Sequence, residues 1–282
     1  MPLPVPKTYK LYVGGRFPRS ESGRSFVPSR SPGRNVARAS RKDLRDAVLA
    51  ARAGLAAWRS SSAYLRGQVL YRLAEMLESR REAMQAELRL GGVTALAARQ
   101  ELDTAISLAV WYAGLCDKLQ SLLGSQNAVQ GPFFNFSTVE PTGVVGVLAP
   151  EAPGLVGVLA LVLPLLAGGN SVVVLLAESA PCAGLALGEV CAASDVPAGV
   201  VNLLAGLRSE LAGQFAAHRD IDGLLAAGRP DAALGAAAAD NCKRVRYCEL
   251  SAAQWRRSER LQSLAFVEPF VEVKTLWHPV AR

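Results

Sequence analysis

A doubly wound α/β fold is what this sequence predicts, and three observations carry the prediction. From residue 143 onward, short apolar runs alternate with helical patterns in strict succession. The runs are continuous rather than alternating, so each strand is expected to be covered on both faces. Strands joined through single helices run parallel, and right-handed crossovers then place helices on both sides of the sheet. The spacing predicts strands over 143–149, 171–176, 200–204, 222–227 and 244–249, with helices over 154–168, 181–193, 208–217 and 230–240.

The segments ahead of this unit read differently. Tyr9 to Phe17 reads as a small hairpin around Gly14-Gly15. Ser40-Arg41-Lys42-Asp43 resembles a capping box, and Leu44, Val48, Ala51 and Leu55 then share one helical face as far as Trp58. A second amphipathic helix carries Leu65, Val69, Leu73, Met76 and Leu77. After the Gly91-Gly92 break a third helix is expected from about Ala95 to Leu122, with Leu102, Ile106, Trp111 and Leu115 on its core stripe. Phe133 to Glu140 alternates and meets Pro141-Thr142-Gly143, which reads as a turn between two strands. Phe266 to Leu276 alternates over its second half and reads as a lone antiparallel or edge strand, which must pair with something. The expected organisation is therefore an N-terminal hairpin and helices over 1–131, hairpin strands over 132–149, a Rossmann-like unit over 150–253, a short linker over 254–265 and a terminal strand over 266–282.

Composition excludes several classes of function. Half of the 282 residues are hydrophobic and 20% are charged, an ordinary globular balance with enough chain to bury a full core. The net charge of +7 is dispersed; the densest basic cluster, Trp255 to Arg260, is interrupted, so a solvated Arg-rich surface is favoured over a nucleic-acid arm. Cys116, Cys182, Cys191, Cys242 and Cys248 form no C-x-x-C pair and have no His at ligand spacing, which argues against a disulfide framework or a zinc site. Residues 152–177 carry no charge, but Pro164 and Gly168-Gly169-Asn170 divide them into a short helix and a strand, so no membrane span is expected. The opening Met1 to Lys7 has no apolar run of a signal peptide, and a cytoplasmic location is the expectation.

Several motifs stand in a recognisable order. They are Leu11 to Phe17, Ala47 to Trp58, Val139 to Val147 (VEPTGVVGV), Leu166 to Val174 (LAGGNSVVV), Pro197 to Leu203 (PAGVVNL) and Phe270 to Thr275 (FVEVKT). Together they resemble the aldehyde dehydrogenase superfamily along nearly the whole chain. The pattern is similar to the truncated second dehydrogenase-like domain that family-16 aldehyde dehydrogenases carry, a likeness to which Lys274 to Pro279 and the proline-rich opening add. The resemblance implies a catalytic domain between the cofactor unit and the last strand. Here only positions 250–265 separate Glu249 from Phe266, and no cysteine follows Cys248.

The resemblance also assigns positions to a chemistry that needs a thiolate, an amide-lined oxyanion hole, a Glu base and NAD(P). In the "PWNFP" motif this chain reads Pro150-Glu151-Ala152-Pro153-Gly154, with Ala152 at the oxyanion Asn position. Loss of one such donor costs ~3–4 kcal/mol of transition-state stabilisation. In "ELGGK" it reads Glu249-Leu250-Ser251-Ala252-Ala253, so Glu249 is a relic of the general base. Cys248 should point to the opposite strand face, and Cys242, beside Lys243-Arg244, is either a surface thiol or an activated one.

The cofactor positions implied are Pro150, Glu178, Gly206, Gly228 and Arg229. Glu178 either accepts from ribose hydroxyls or caps the following helix. Gly228-Arg229-Pro230-Asp231 stands where "GSTEVG" is expected; Gly228 permits close approach of a phosphate, while Arg229 either pairs with it or fills the site itself. The expectation is a non-catalytic domain with no cofactor, with bound NAD or NADP as the alternative. Its partner would be a dehydrogenase domain on the same or another chain, or a second copy engaged through 132–149 and 266–277. The other readings are a domain within an active NAD(P)-dependent aldehyde dehydrogenase, or a module that senses NAD(P) without chemistry.

Overall fold

The computed structural model describes residues 7–251 and 253–280. The opening Met1 to Pro6 and Ala252 therefore lie outside the described residues, as do Ala281 and Arg282. Three short strands, β1 (Thr8–Tyr9), β2 (Ser25–Phe26) and β3 (Asn35–Ala37), form a small sheet in the order β1-β3-β2. The expected hairpin at Gly14-Gly15 reduces to one turn, in which Val13 and Arg16 exchange backbone bonds. Tyr12 instead exchanges two bonds with Leu203, because the edge of the main sheet offers a partner that the short local arm does not.

Helices α1 (Arg41–Ser60), α2 (Ala63–Ser79), α3 (Arg81–Leu90) and α4 (Ala95–Leu115) follow. The capping box of α1 is complete: Ser40 accepts from Lys42 and Asp43, and Asp43 accepts from the Ser40 backbone at 2.8 Å. The third expected helix ends earlier than Leu122. After Leu115 the backbone tightens into a 3₁₀ turn over Cys116–Lys118 and restarts as α5 (Leu119–Leu123).

The central sheet contains β6 (Val144–Leu148), β7 (Ser171–Leu175), β8 (Val201–Leu204), β9 (Gly223–Ala227) and β10 (Arg244–Cys248). All its pairs are parallel and the order is β10-β9-β6-β7-β8. Its strands alternate with α6 (Val156–Ala167), α7 (Cys182–Ala193), α8 (Arg208–Ala217) and α9 (Ala232–Ala239). Val144 to Leu148 and Ser171 to Leu175 are buried at every position, as continuous apolar runs require. One core packs α2, α4, α6 and α7 against one sheet face; a second packs α1, α8 and α9 against the other. Every residue of α6 is buried, yet it has only 12 residues. No helix among the described residues is long and apolar enough to cross a membrane.

Lys243, 8% exposed, enters the second layer at the C-terminal end of α8. Its Nζ donates to Phe215 O, Ala216 O and His218 O at 3.2, 2.7 and 2.7 Å, satisfying carbonyls that a helix end leaves unpaired. Lys243→Met keeps the stem and takes this donor from Phe215 O and Ala216 O, while His218 O keeps Ile221 N and Asn241 Nδ2. The expected cost is about 2 kcal/mol, read as a lower urea midpoint with an unchanged slope.

Two expectations about the arm are corrected. Residues 132–149 are not a hairpin: β5 (Phe133–Pro141) and β6 belong to different sheets. β5 is the middle of an antiparallel sheet between β4 (Ser125–Asn127) and β11 (Val271–Pro279). The turn at Pro141-Thr142-Gly143 carries the chain from one sheet to the other, and Gly143 sits at φ 139° where Asp222 leaves no room for a Cβ. The terminal strand starts at Val271, since residues 264–270 form two 3₁₀ turns.

The segment 254–265 is folded rather than a bare linker. A 3₁₀ turn over Gln254–Arg256 and α10 (Ser258–Leu261) bury Trp255 and Leu261, and Tyr112 Oη donates to Leu261 O at 2.7 Å. Burying two large apolar groups is what draws it onto α4 and α6.

Candidate functional site

In a doubly wound sheet the loops leaving the carboxyl ends of the strands define the site, at the point where strand order reverses. Here the reversal lies between β6 and β9. Pro150 and Ala152 follow β6, Glu178 follows β7, Gly206 follows β8, Gly228 and Arg229 follow β9, and Glu249 follows β10. The fold thus gathers every position assigned from the sequence along one edge. Their local geometry decides what that edge can do.

Helix N-termini on such an edge are natural anion seats, because their first amides point outward unpaired. In this chain those amides already hold carboxylates. Glu101 Oε1, from α4, accepts from Leu155 and Val156 at the start of α6, at 2.7 and 3.2 Å. Burial pushes the Glu101 carboxyl up, with the two amide bonds pulling the other way. Glu178 Oε2 accepts from the Arg208 amide at the start of α8, at 2.9 Å. Asp231 caps α9 through Ala233 and Leu234, at 2.8 and 3.3 Å. Glu178 therefore caps a helix, but it is α8 rather than the helix after Pro181.

Arg208, which the sequence reading passed over, spans the crevice itself. Its guanidinium donates to Ala149 O at 2.9 Å, just after β6, and to Ala227 O at 3.3 Å, the last residue of β9. A cation at the first position of a helix opposes the macrodipole. That unfavourable placement, in Leu207-Arg208-Ser209-Glu210, is the sequence signal that this arginine has partners elsewhere. Arg229 does not fill the crevice; it lies exposed and pairs with Glu249 at 2.9 Å.

Glu151 locks the neighbouring turn. It accepts from the Glu178 and Ser179 amides, both at 3.1 Å, and from Ser179 Oγ at 2.6 Å. Desolvation works to raise its carboxyl, but these bonds and nearby Arg208 hold it below the ordinary value of 4.5. A depressed folded-state pKa contributes stability above the unfolded value that is lost as pH falls through the folded one. Glu151→Gln should therefore flatten the loss of stability below about pH 4.5, as measured by thermal unfolding across pH.

The remaining positions serve packing. Gly206 is buried against Ala39 and Leu211, where a Cβ would come within 2.9 Å of Leu211. Pro150 seats on the first turn of α6, and Gly157 is the residue that leaves it room. Gly228 has φ 110° and donates to Cys248 O at 3.0 Å, so its left-handed backbone closes the β9–β10 end. Ala152 is exposed and presents only a methyl group.

Among the thiols, burial pushes Cys116 and Cys191 up to about 12, Cys248 up to about 11, and Cys182 up as well. Cys242 is exposed, and Lys243 commits its ammonium to α8 rather than to that thiol. Cys248 packs on the core while Glu249 is exposed, as their opposite strand faces require. Among the described residues no group of three His, Cys, Asp or Glu could hold a metal ion.

The antiparallel arm is tied to this body by charge and amide bonds. Arg59 pairs with Glu140 at 2.6 Å and Arg244 with Glu272 at 2.9 Å. Two backbone bonds fix the phase of the β5–β11 ladder, Thr142 N to Phe270 O and Val280 N to Pro132 O. With Val271 opposite Pro141, the paired residues are Glu272, Lys274, Leu276 and His278. The N–H and C=O of Val273, Thr275 and Trp277 therefore face outward, and β11 is the end strand of its sheet. Val273 and Trp277 are 63% and 60% exposed.

A parallel sheet of this order, with an antiparallel arm fed by the chain terminus, defines a dehydrogenase-type dinucleotide fold. The sequence pattern of the aldehyde dehydrogenase family matches residues 22–252. The chain belongs to that family. It is 31% identical to cytosolic aldehyde dehydrogenase 1 of Elephantulus edwardii over 86% of its own length and 52% of that protein. It is 32% identical to human retinal dehydrogenase 2 over 87% of its length and 50% of that protein. Among solved structures, an aldehyde dehydrogenase from Bacillus cereus superposes with a TM-score of 0.80 at 25% identity, covering 86% of this chain and 50% of that one. PnpE from Pseudomonas sp. WBC-3 gives 0.80 at 26%, with the same coverage. The chain spans about half the length of the curated relatives it matches.

Proposed function

We propose that this chain is a non-catalytic aldehyde-dehydrogenase-like domain that works by assembly, through the outer edge of β11. The outward N–H and C=O groups of Val273, Thr275 and Trp277 carry the reading. An unpaired strand edge flanked by exposed apolar side chains is a template for strand addition, and a second copy offering the same edge makes an isologous pair. A dehydrogenase domain bearing a like strand would use the same bonds.

The residues of the crevice do not fit a dinucleotide. A pyrophosphate needs open helix amides, and those of α6, α8 and α9 already donate to internal carboxylates. Each of these carboxylates would repel a phosphate, and Arg208 bridges the strand ends where the ligand would enter. Ala152 offers no donor to an oxyanion, and Glu249 is engaged by Arg229. Burial also disfavours thiolates at Cys116, Cys182, Cys191 and Cys248.

Light scattering on the whole chain should give about twice the 29.8 kDa chain mass. Calorimetric titration with NAD and with NADP should give no saturable heat. Micromolar binding of either, or turnover of an aldehyde by this chain, would overturn the non-catalytic reading; a monomeric mass would overturn the assembly.

A further inference from the structure

We infer that the groove between α2 and α4 is a binding site for a small amphipathic cation, an ammonium group on an apolar body. The groove has a volume of about 700 Å³, within the range of pockets for small ligands. Glycines shape its floor. Gly67 lets α2 sit directly on α4, since a Cβ there would come within 2.8 Å of Ala113 O, whereas a Cβ on Gly114 would meet nothing within 4 Å. The two helices therefore touch at one glycine and leave open room at the other. The walls are Tyr64, Leu65, Tyr71 and Val110, large side chains that the fold leaves 43–67% exposed.

Charge selects the ligand class. The ionisable side chains lining the groove are the cations Arg72 and Lys118 and the acids Glu75, Asp117 and Asp195. Arg72 pairs with Glu75 and Lys118 with Asp117, both at 2.8 Å, and Lys118 also donates to Gly114 O. Asp195 lies within electrostatic reach of Arg72, but among the described residues no cation is within salt-bridge distance of it. One carboxylate is thus left over. Two helix C-termini add to the negative potential: α4 ends at Leu115 beside the groove, and α7 at Ala193, just before Asp195. The opposing N-terminus of α2 is already capped by the Ser62 hydroxyl. An ammonium completes this set by pairing with Asp195, while the rings of Tyr64 and Tyr71 offer faces to the cation and apolar surface to its chain. The groove uses no residue of the crevice or of the antiparallel arm. It is independent of the β11 edge, and either can fail without the other.

The test titrates the whole chain with octylammonium and octan-1-ol as matched probes, followed by calorimetry. Octylammonium should bind at least about ten-fold more tightly than the alcohol. Asp195→Asn should weaken octylammonium by about ten-fold and leave the alcohol unchanged. Asp195 has φ 60°, a conformation that asparagine also tolerates, so this variant should keep the wild-type circular dichroism. Gly114→Leu fills the open end of the groove without touching charge and should abolish binding of both probes. Gly114 is exposed on a helix, where leucine is the better helix former, so this variant too should fold. Equal affinity for ammonium and alcohol, no binding of octylammonium at millimolar concentration, or unchanged octylammonium affinity in either variant overturns the proposal. A halved particle mass in Gly114→Leu would assign the groove to a second copy of the chain and overturn it as well.

Discussion

Trp58→Ala should destabilise the chain by about 3–5 kcal/mol, the largest effect expected of any single truncation here. Trp58 is 1% exposed at the end of α1, and its Nε1 donates to Leu166 O at 3.0 Å near the end of α6. The ring joins helices from opposite faces of the sheet, so its loss opens a cavity that neither layer can close alone. The truncation also removes one of the two donors to the Leu166 carbonyl, which keeps the Gly169 amide at 2.9 Å. Trp58→Phe separates the two contributions: it restores much of the packing but not the bond, and should cost about half as much. Thermal unfolding followed by circular dichroism reads both. Trp58→Ala should lower the midpoint by about 10 °C.

The second large effect is expected at Asn170, which is fully buried. Its Oδ1 accepts from Gly143 N at 2.9 Å, and its Nδ2 donates to Leu165 O at 3.1 Å and Phe270 O at 2.9 Å. One amide therefore holds the end of α6, the entry to β6 and the residue before β11. Asn170→Ala orphans the buried Gly143 amide and removes one of two donors each from Leu165 O and Phe270 O, for an expected loss of about 3 kcal/mol. Asn170→Asp can still accept from Gly143 but cannot donate, and it buries a charge, so it should be no milder than alanine. Because Phe270 leads into β11, hydrogen exchange at residues 271–278 should accelerate in both variants. Slow exchange there would show that β11 is held by its pairing with β5 alone.

Much of this fold was legible because its central strands are buried on both faces. Val144 to Leu148 and Ser171 to Leu175 read as continuous apolar runs, and the helices between them are bounded by Pro181, Gly168 and Asp231. The arm was harder. Pro141-Thr142-Gly143 has turn chemistry whether the chain folds back or changes sheets. The useful signal was the change from alternation in Phe133 to Glu140 to an unbroken apolar run after it, which cannot share one exposed hairpin.

The candidate site was legible in position more than in role. Every residue assigned from the motifs lies on the carboxyl edge of the sheet, but the partners came from afar. Glu101 reaches α6 from α4, and Arg208 reaches β6 and β9 from α8, contacts that no local pattern encodes. Likewise Trp255 and Leu261 sit among charged residues that suggest a linker, and only the tertiary fold reveals that both are buried.

The most direct test of assembly through β11 is the mass of Val273→Pro. Proline removes an outward N–H at that position while sparing the bonds to β5, and proline is tolerated on edge strands for that reason. The account predicts a monomer of 29.8 kDa with the circular dichroism and unfolding midpoint of the wild-type subunit. A particle of unchanged, doubled mass would contradict it.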